Sequence, residues 1–149
     1  MKYEARKFNK KSYAINDKYA KDLFVKYIEK KGHTVINKKE NYDFDITTIK
    51  NNKTYNFELE MKTTYPFKTM ETFKFNTVSF LGRKKRLHLK GEFYYIIICK
   101  ETDWAIVCNS KEIFKNRYIE NLTINTTNRK GKDQMYRVPK EKCIFFNIN

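Results

Sequence analysis

Residues 41–64 read NYDFDITTIKNNKTYNFELEMKTT, and this stretch decides the fold. Two extended runs flank Asn51 and Asn52. In the first, Asp43 and Asp45 alternate with Tyr42, Phe44 and Ile46; in the second, Glu58, Glu60 and Lys62 alternate with Phe57, Leu59 and Met61. Strand side chains alternate faces with a period of two, so each run has one apolar face and one ionisable face. Asn tolerates positive φ, which favours a two-residue hairpin turn at Asn51 and Asn52. Lys50 then faces Lys53, and counting outward sets Asp45 across from Glu58 and Asp43 across from Glu60. Four carboxylates share one patch of sheet, with Lys62 at its edge.

Like charges directly opposite on a hairpin are destabilising. Crowded carboxylates raise one another's pKa, and such clusters concentrate at functional sites. Lys62 alone cannot neutralise four of them; an oxygen-seeking divalent cation does so far better. The plain alternative is a half-exposed hairpin whose acids face water. The metal reading is preferred because acids are scarce: 17 Asp and Glu stand against 32 Lys and Arg, yet four acids fall between positions 43 and 60 on one predicted face.

The 149 residues suffice for one domain, with 40% hydrophobic and 16% aromatic residues to build a core. Four Gly and two Pro leave no linker-like segment. The net charge of +15 favours a polyanion, most often nucleic acid. No apolar run reaches membrane-spanning length and no basic amphipathic anchor is present, so no membrane partner is expected. Cys99, Cys108 and Cys143 are odd in number, widely spaced and without a CxxC pair; they read as buried thiols in a reducing compartment. The basic N-terminus lacks the apolar segment of a secretory signal, and an intracellular protein is expected.

Residues 1–16 read as a basic arm or a first strand. A helix is predicted from Asn16 or Asp17 to about Lys31, with an apolar stripe of Tyr19, Ala20, Leu23, Phe24, Tyr27 and Ile28 and a stop at Gly32. Residues 33–37 form a short strand. After the acidic hairpin, residues 63–74 are irregular, and residues 71–80 read as either a short helix or an extended lid. Residues 82–90, GRKKRLHLK, carry Arg83, Lys84, Lys85, Arg86 and Lys90; with the global charge excess, phosphate contact is the preferred reading over a solvated face. Residues 93–100 form a strand buried on both faces, and residues 104–109 its partner. Trp104 reads as packing rather than a base-stacking platform. Asn109 caps a short helix to Arg117, with Glu112 in the capping-box place. Residues 118–128 offer Ile119, Leu122 and Ile124 as partial anchors, residues 129–133 a basic turn, and residues 135–139 and 143–148 two closing β segments. The sum is an α/β domain, a mixed central sheet with helices on its faces.

A helix with Asp22 beside its stripe, then Tyr42, Asp43 and Phe44, then Glu60, Met61 and Lys62 on an adjacent strand resembles the PD-(D/E)XK nuclease superfamily, which includes restriction endonucleases and archaeal-type Holliday junction resolvases. The resemblance covers residues 17–108, leaving residues 1–16 as a basic arm and residues 118–149 as a β tail of one domain; Tyr42 stands where the motif's proline would be. It implies a restriction-endonuclease-like sheet and a Mg²⁺-dependent (or Mn²⁺-dependent) DNA endonuclease, resolvase-like if structure-specific. Asp43 and Glu60 are implied as metal-binding carboxylates, with the Met61 carbonyl as a further ligand. Lys62 is implied to orient or deprotonate the attacking water. Asp45 rivals Asp43 for its role, Glu58 supports the ligands or binds a second ion, and Asp22 completes the site. The chemistry is coherent without the resemblance: a hard cation neutralises a phosphodiester, acidifies a bound water and stabilises the leaving oxygen. A two-fold homodimer is the simplest way to cut both strands. The alternative function is a non-catalytic nucleic-acid-binding accessory protein on the same fold. A small basic inhibitor of an acidic protein is a third, without a motif behind it.

Overall fold

The computed structural model describes residues 10–37, 44–125 and 130–149. Helix α1 spans Lys10–Lys30, starting well before the expected Asn16 or Asp17. Residues 10–16 are thus helix rather than arm or strand, and residues 1–9 lie outside the described residues. The sequence KKSYAIN contains no Gly or Pro to stop the helix extending. Asn16 and Asp17, read as caps, have other partners: Asn16 Oδ1 accepts from Lys100 Nζ at 2.8 Å, and Asp17 pairs with Lys21 at 3.3 Å. The C-terminal stop is as expected. Gly32 takes φ 91°, its N–H donates to the Glu29 carbonyl, and the His33 N–H reaches back to the Ile28 carbonyl. These two bonds satisfy carbonyls that the helix end leaves over.

The strands are β1 (Thr34–Asn37), β2 (Ile46–Lys50), β3 (Lys53–Lys62), β4 (Thr77–Leu81), β5 (Tyr94–Cys99), β6 (Trp104–Asn109), β7 (Ile119–Asn125), β8 (Lys130–Pro139) and β9 (Ile144–Asn147), with short helices α2 (Lys85–His88) and α3 (Ser110–Ile113). They form two sheets. The larger has the order β1-β2-β3-β5-β6-β9, the smaller β4-β8-β7. Only β3 and β5 run parallel; the other pairs are antiparallel. The mixed α/β character is as expected, but one face is covered by a second sheet together with short helices rather than by helices alone. One face of the large sheet packs on α1 through Ala20, Phe24, Ile28, Ile46, Phe57, Leu59, Ile96 and Ile98. The other packs on the small sheet, α2 and α3 through Tyr95, Ile97, Phe80, Leu87, Ile113, Tyr136 and Val138. Helix, sheet and sheet make three layers around β3 and β5.

The second sheet corrects three local expectations. Residues 77–81, read as part of a short helix or lid, are a strand. The stretch from Ile119 and the "basic turn" near Arg129 are strands too, because β7 and β8 pair from Ile119 opposite Tyr136 to Asn125 opposite Lys130; Arg129 itself lies outside the described residues. The tail also divides, with β7 and β8 in the small sheet and β9 at the edge of the large one. Trp104 packs against the core cluster, and all three cysteines are buried and free, as expected. No described helix is long and apolar enough to cross a membrane.

Candidate metal centre and nucleic-acid interface

The hairpin forms in the expected register. Asn51 and Asn52 take φ 51° and 62°, and Lys50 pairs with Lys53. Two successive positive φ values define the tight turn whose twist matches that of its strands. In the parallel ladder Glu58 faces Tyr95, Glu60 faces Ile97 and Lys62 faces Cys99. Tyr95, Ile97 and Cys99 belong to the cluster under the small sheet, whereas Phe57 and Leu59 pack on the α1 side. The ionisable row of β3 therefore points toward the small sheet.

Asp45 meets Glu58, though not as a ladder pair. The Asp45 N–H donates to Glu58 Oε2 at 2.7 Å, and the Leu59 N–H donates to Asp45 Oδ2 at 2.9 Å. The Asp45 carboxylate thus takes the place of a backbone acceptor just before β2 begins. This corrects the expected apolar face: Ile46 packs toward α1, but Phe44 packs with Phe93 on the opposite side, ring centroids 5.7 Å apart. The period of two breaks where Asp45 turns to bind β3. Asp43 and Tyr42 lie outside the described residues, so the count opposing Asp43 to Glu60 extends past the last ladder pair, Ile46 with Phe57.

The two glutamates of β3 sit high in pKa. Glu58 is 4% exposed, and Lys84 Nζ donates to its Oε1 at 3.0 Å. Burial first, then the neighbouring Asp45 charge, push Glu58 up to about 7 against the opposing pull of Lys84. Glu60 is half-buried and accepts from the Tyr95 hydroxyl at 3.3 Å. Burial raises its pKa, while the charges of Lys62 and Lys84, the Tyr95 hydrogen bond and Arg83 hold it down. The Tyr95 phenol is raised in turn by burial and by the Glu60 charge.

This donor set suits a hard cation, since desolvated carboxylates gain most from a counter-charge. Both Glu58 oxygens already accept from protein donors. Among contacts between described residues, Asp45 Oδ1 and Glu60 Oε2 are not so engaged. The Lys62 carbonyl accepts from the Lys100 N–H while the Leu59 N–H turns to Asp45, so alternate backbone groups of β3 face β5 and β2. By that alternation the Met61 carbonyl faces the β2 side, past the last described pair of β2 and β3. No group of three or more His, Cys, Asp or Glu able to hold a metal occurs among the described residues; a third acid would have to come from outside them, where Asp43 falls.

The other expected residues are dispersed. Asp22 is 69% exposed in its side chain and pairs with Lys18 at 3.4 Å. At 100° per residue it lies roughly opposite the stripe of Ala20, Phe24 and Ile28, on the outer face of α1. In the basic segment, Lys84 turns inward to Glu58 instead of outward to a phosphate. Lys85 lies over the Tyr136 ring, 6.0 Å from its centroid. Arg83, Arg86 and Lys90 are exposed. Of the donors that hold the two glutamates, Tyr95 was not singled out from sequence, and Lys84 was read as a phosphate contact rather than as the partner of Glu58. Tyr95 had a legible signal, since it shares the parity of the β3 acids in the strand beside them. Lys84 had none, because only the fold brings it across to Glu58.

Comparison of the chain with family models, curated proteins and solved structures finds no match.

Proposed function

We propose that the chain is a Mg²⁺- or Mn²⁺-dependent DNA endonuclease built on a restriction-endonuclease-like core. One observation carries the reading: Glu58, Glu60 and Lys62 form a single row on β3, with Asp45 closing on Glu58 at the mouth of the hairpin. The order of α1, three antiparallel strands and a parallel β5 next to β3 supports the finer fold assignment. In this reading Glu60, the Met61 carbonyl and Asp43 or Asp45 hold the ion. A bound divalent ion would supply neutralisation of the phosphodiester charge and a more acidic water. Glu58 fixes Asp45 and is itself fixed by Lys84. Lys62, two residues from Glu60 on the same face, orients the attacking water and offsets charge that develops on the phosphate. Arg83, Arg86 and Lys90 meet the phosphates of a DNA partner, and a homodimer would place two such sites on one duplex.

The test is incubation of supercoiled, linear and branched DNA with the protein in Mg²⁺, Mn²⁺ or EDTA. Strand breaks should appear only with a divalent ion and vanish in Glu60→Ala plus Lys62→Ala, with DNA binding nearly retained. Persistent cleavage in that double variant refutes the assignment. The Lys84 to Glu58 ion pair favours a second reading, a non-catalytic nucleic-acid-binding accessory protein, because the protein supplies its own counter-charge to one acid. That reading expects salt-sensitive binding, indifferent to divalent metal, and no breaks in any of the three conditions.

A further inference from the structure

The loop at residues 63–76 encloses a cavity of about 240 Å³ with β4 and β5, bounded by Lys62, Tyr65, Phe73, Phe75, Ile97 and Arg137. Nothing in the metal chemistry uses its aromatic wall. Tyr65 is 62% exposed and Phe75 44% exposed. Their rings meet edge to face at 5.9 Å, and Phe75 meets Phe73 at the same separation. Lys74 Nζ sits 5.8 Å from the centroids of both Tyr65 and Phe75. Tyr65 also holds φ 52°, a conformation that bulky residues adopt only under constraint.

The loop is pinned in place. Thr102 Oγ1 donates to the Phe67 carbonyl at 2.6 Å, the Phe67 side chain is buried, and the Lys140 N–H donates to the Asn76 carbonyl at 3.1 Å. Lys140 Nζ donates to the Met70 carbonyl at 3.2 Å. The exposed rings are therefore a preformed platform, which lowers the ordering cost of binding. Ligand pockets for drug-sized molecules run to roughly 300–1,000 Å³; a smaller space lined by aromatic rings suits one planar ring system. Its lining carries Lys62 and Arg137, the latter paired with Glu120, and Lys74 sits over the two exposed rings. An aromatic slot with a cationic rim is the arrangement that binds a nucleobase and its phosphate.

We propose that this cavity receives one unpaired base of a DNA strand, stacked on one ring of the Tyr65 and Phe75 pair while the other, at 85° to it, closes the side, with its phosphate led toward Lys62. The proposal rests on the nuclease reading and narrows its substrate class to DNA with an unpaired nucleotide next to the cut: a branch, gap, flap or extruded base.

The test is binding in EDTA of a fully paired duplex and of the same duplex with one unpaired 2-aminopurine, followed by that base's fluorescence. The unpaired substrate should bind roughly tenfold tighter, the scale of one base stacked on an aromatic side chain, with its emission quenched. Tyr65→Ala plus Phe75→Ala should remove both the preference and the quenching, leaving duplex affinity within about twofold. Tyr65→Leu plus Phe75→Leu, which keeps apolar bulk on the loop, should do the same. Equal affinity for the two substrates in the unaltered protein, unchanged emission, or equal weakening of both substrates in the leucine variant overturns the proposal. Metal-dependent cleavage without the preference sinks only the base pocket; the preference without any cleavage sinks only the nuclease reading.

Discussion

At the scale of single residues, Glu58 is where electrostatics and stability meet. Its carboxyl is raised from 4.5 to about 7 in the fold, so between those pH values the folded chain holds a proton that the unfolded chain has lost. Stability therefore falls as pH rises through this window: the contribution is full below pH 4.5 and lost above 7. The size of the shift corresponds to a few kcal/mol, on the order of 1.4 per pH unit. Urea midpoints measured across the window should fall with pH in the unaltered protein and show a flatter slope in Glu58→Gln; parallel slopes would count against a buried, proton-holding Glu58. Tyr136 gives a second residue-scale prediction. Its ring is fully buried, and its hydroxyl has no hydrogen-bond partner among the described residues. Removing an unsatisfied buried polar group is neutral or stabilising, so Tyr136→Phe should keep or raise the melting temperature. A loss of more than about 1 kcal/mol would mean that the hydroxyl has a partner.

At the scale of elements, the hairpin was legible because turn chemistry and alternation agree. Asn51 and Asn52 supply the positive φ values and fix the register from Lys50 outward. The second position still costs strain that glycine would avoid, so Asn52→Gly should stabilise by roughly 0.5 kcal/mol and Asn52→Val destabilise, both read from chemical denaturation. The small sheet was less legible. Strands β7 and β8 carry many Thr, Asn and Lys residues, whose alternation is weak in composition, and β8 joins the sheet by long-range pairing to β4, which local pattern cannot carry. The same holds for the basic segment. Gly82 follows β4 so closely packed on β8 that an added Cβ would fall 2.4 Å from the Gln134 carbonyl oxygen. Gly82→Ala should therefore destabilise by about 1–3 kcal/mol, the usual cost of overpacking, and displace the turn that carries Lys84 to Glu58. An unchanged stability would show that β8 yields easily there.

At the scale of the whole molecule, the net charge of +15 and the exposed Arg83, Arg86 and Lys90 set what the proposed DNA binding predicts. Affinity should fall steeply with salt, and Arg83→Ala plus Arg86→Ala should lower the slope of log affinity against log salt by about 2, near 0.9 per lost phosphate contact. An unchanged slope would remove this segment from the interface. The layering explains how much of the candidate site could be read beforehand. Glu58, Glu60 and Lys62 share a face by the parity of one strand, a local property. Lys84 and Tyr95 reach them only because the small sheet and β5 close over that face, and Asp45 leaves its expected alternation because β3 offers it a free amide. Asp22, read as part of the site, is a solvated helix acid paired within its own turn.

The central claim is that Glu60 anchors a hard cation beside Lys62. The most direct measurement is calorimetric titration of Mn²⁺ into the protein near neutral pH. The account predicts a single saturable site. Binding should be lost in Glu60→Gln and retained in Lys62→Ala. Absence of Mn²⁺ binding, or binding that is indifferent to Glu60→Gln, would contradict it.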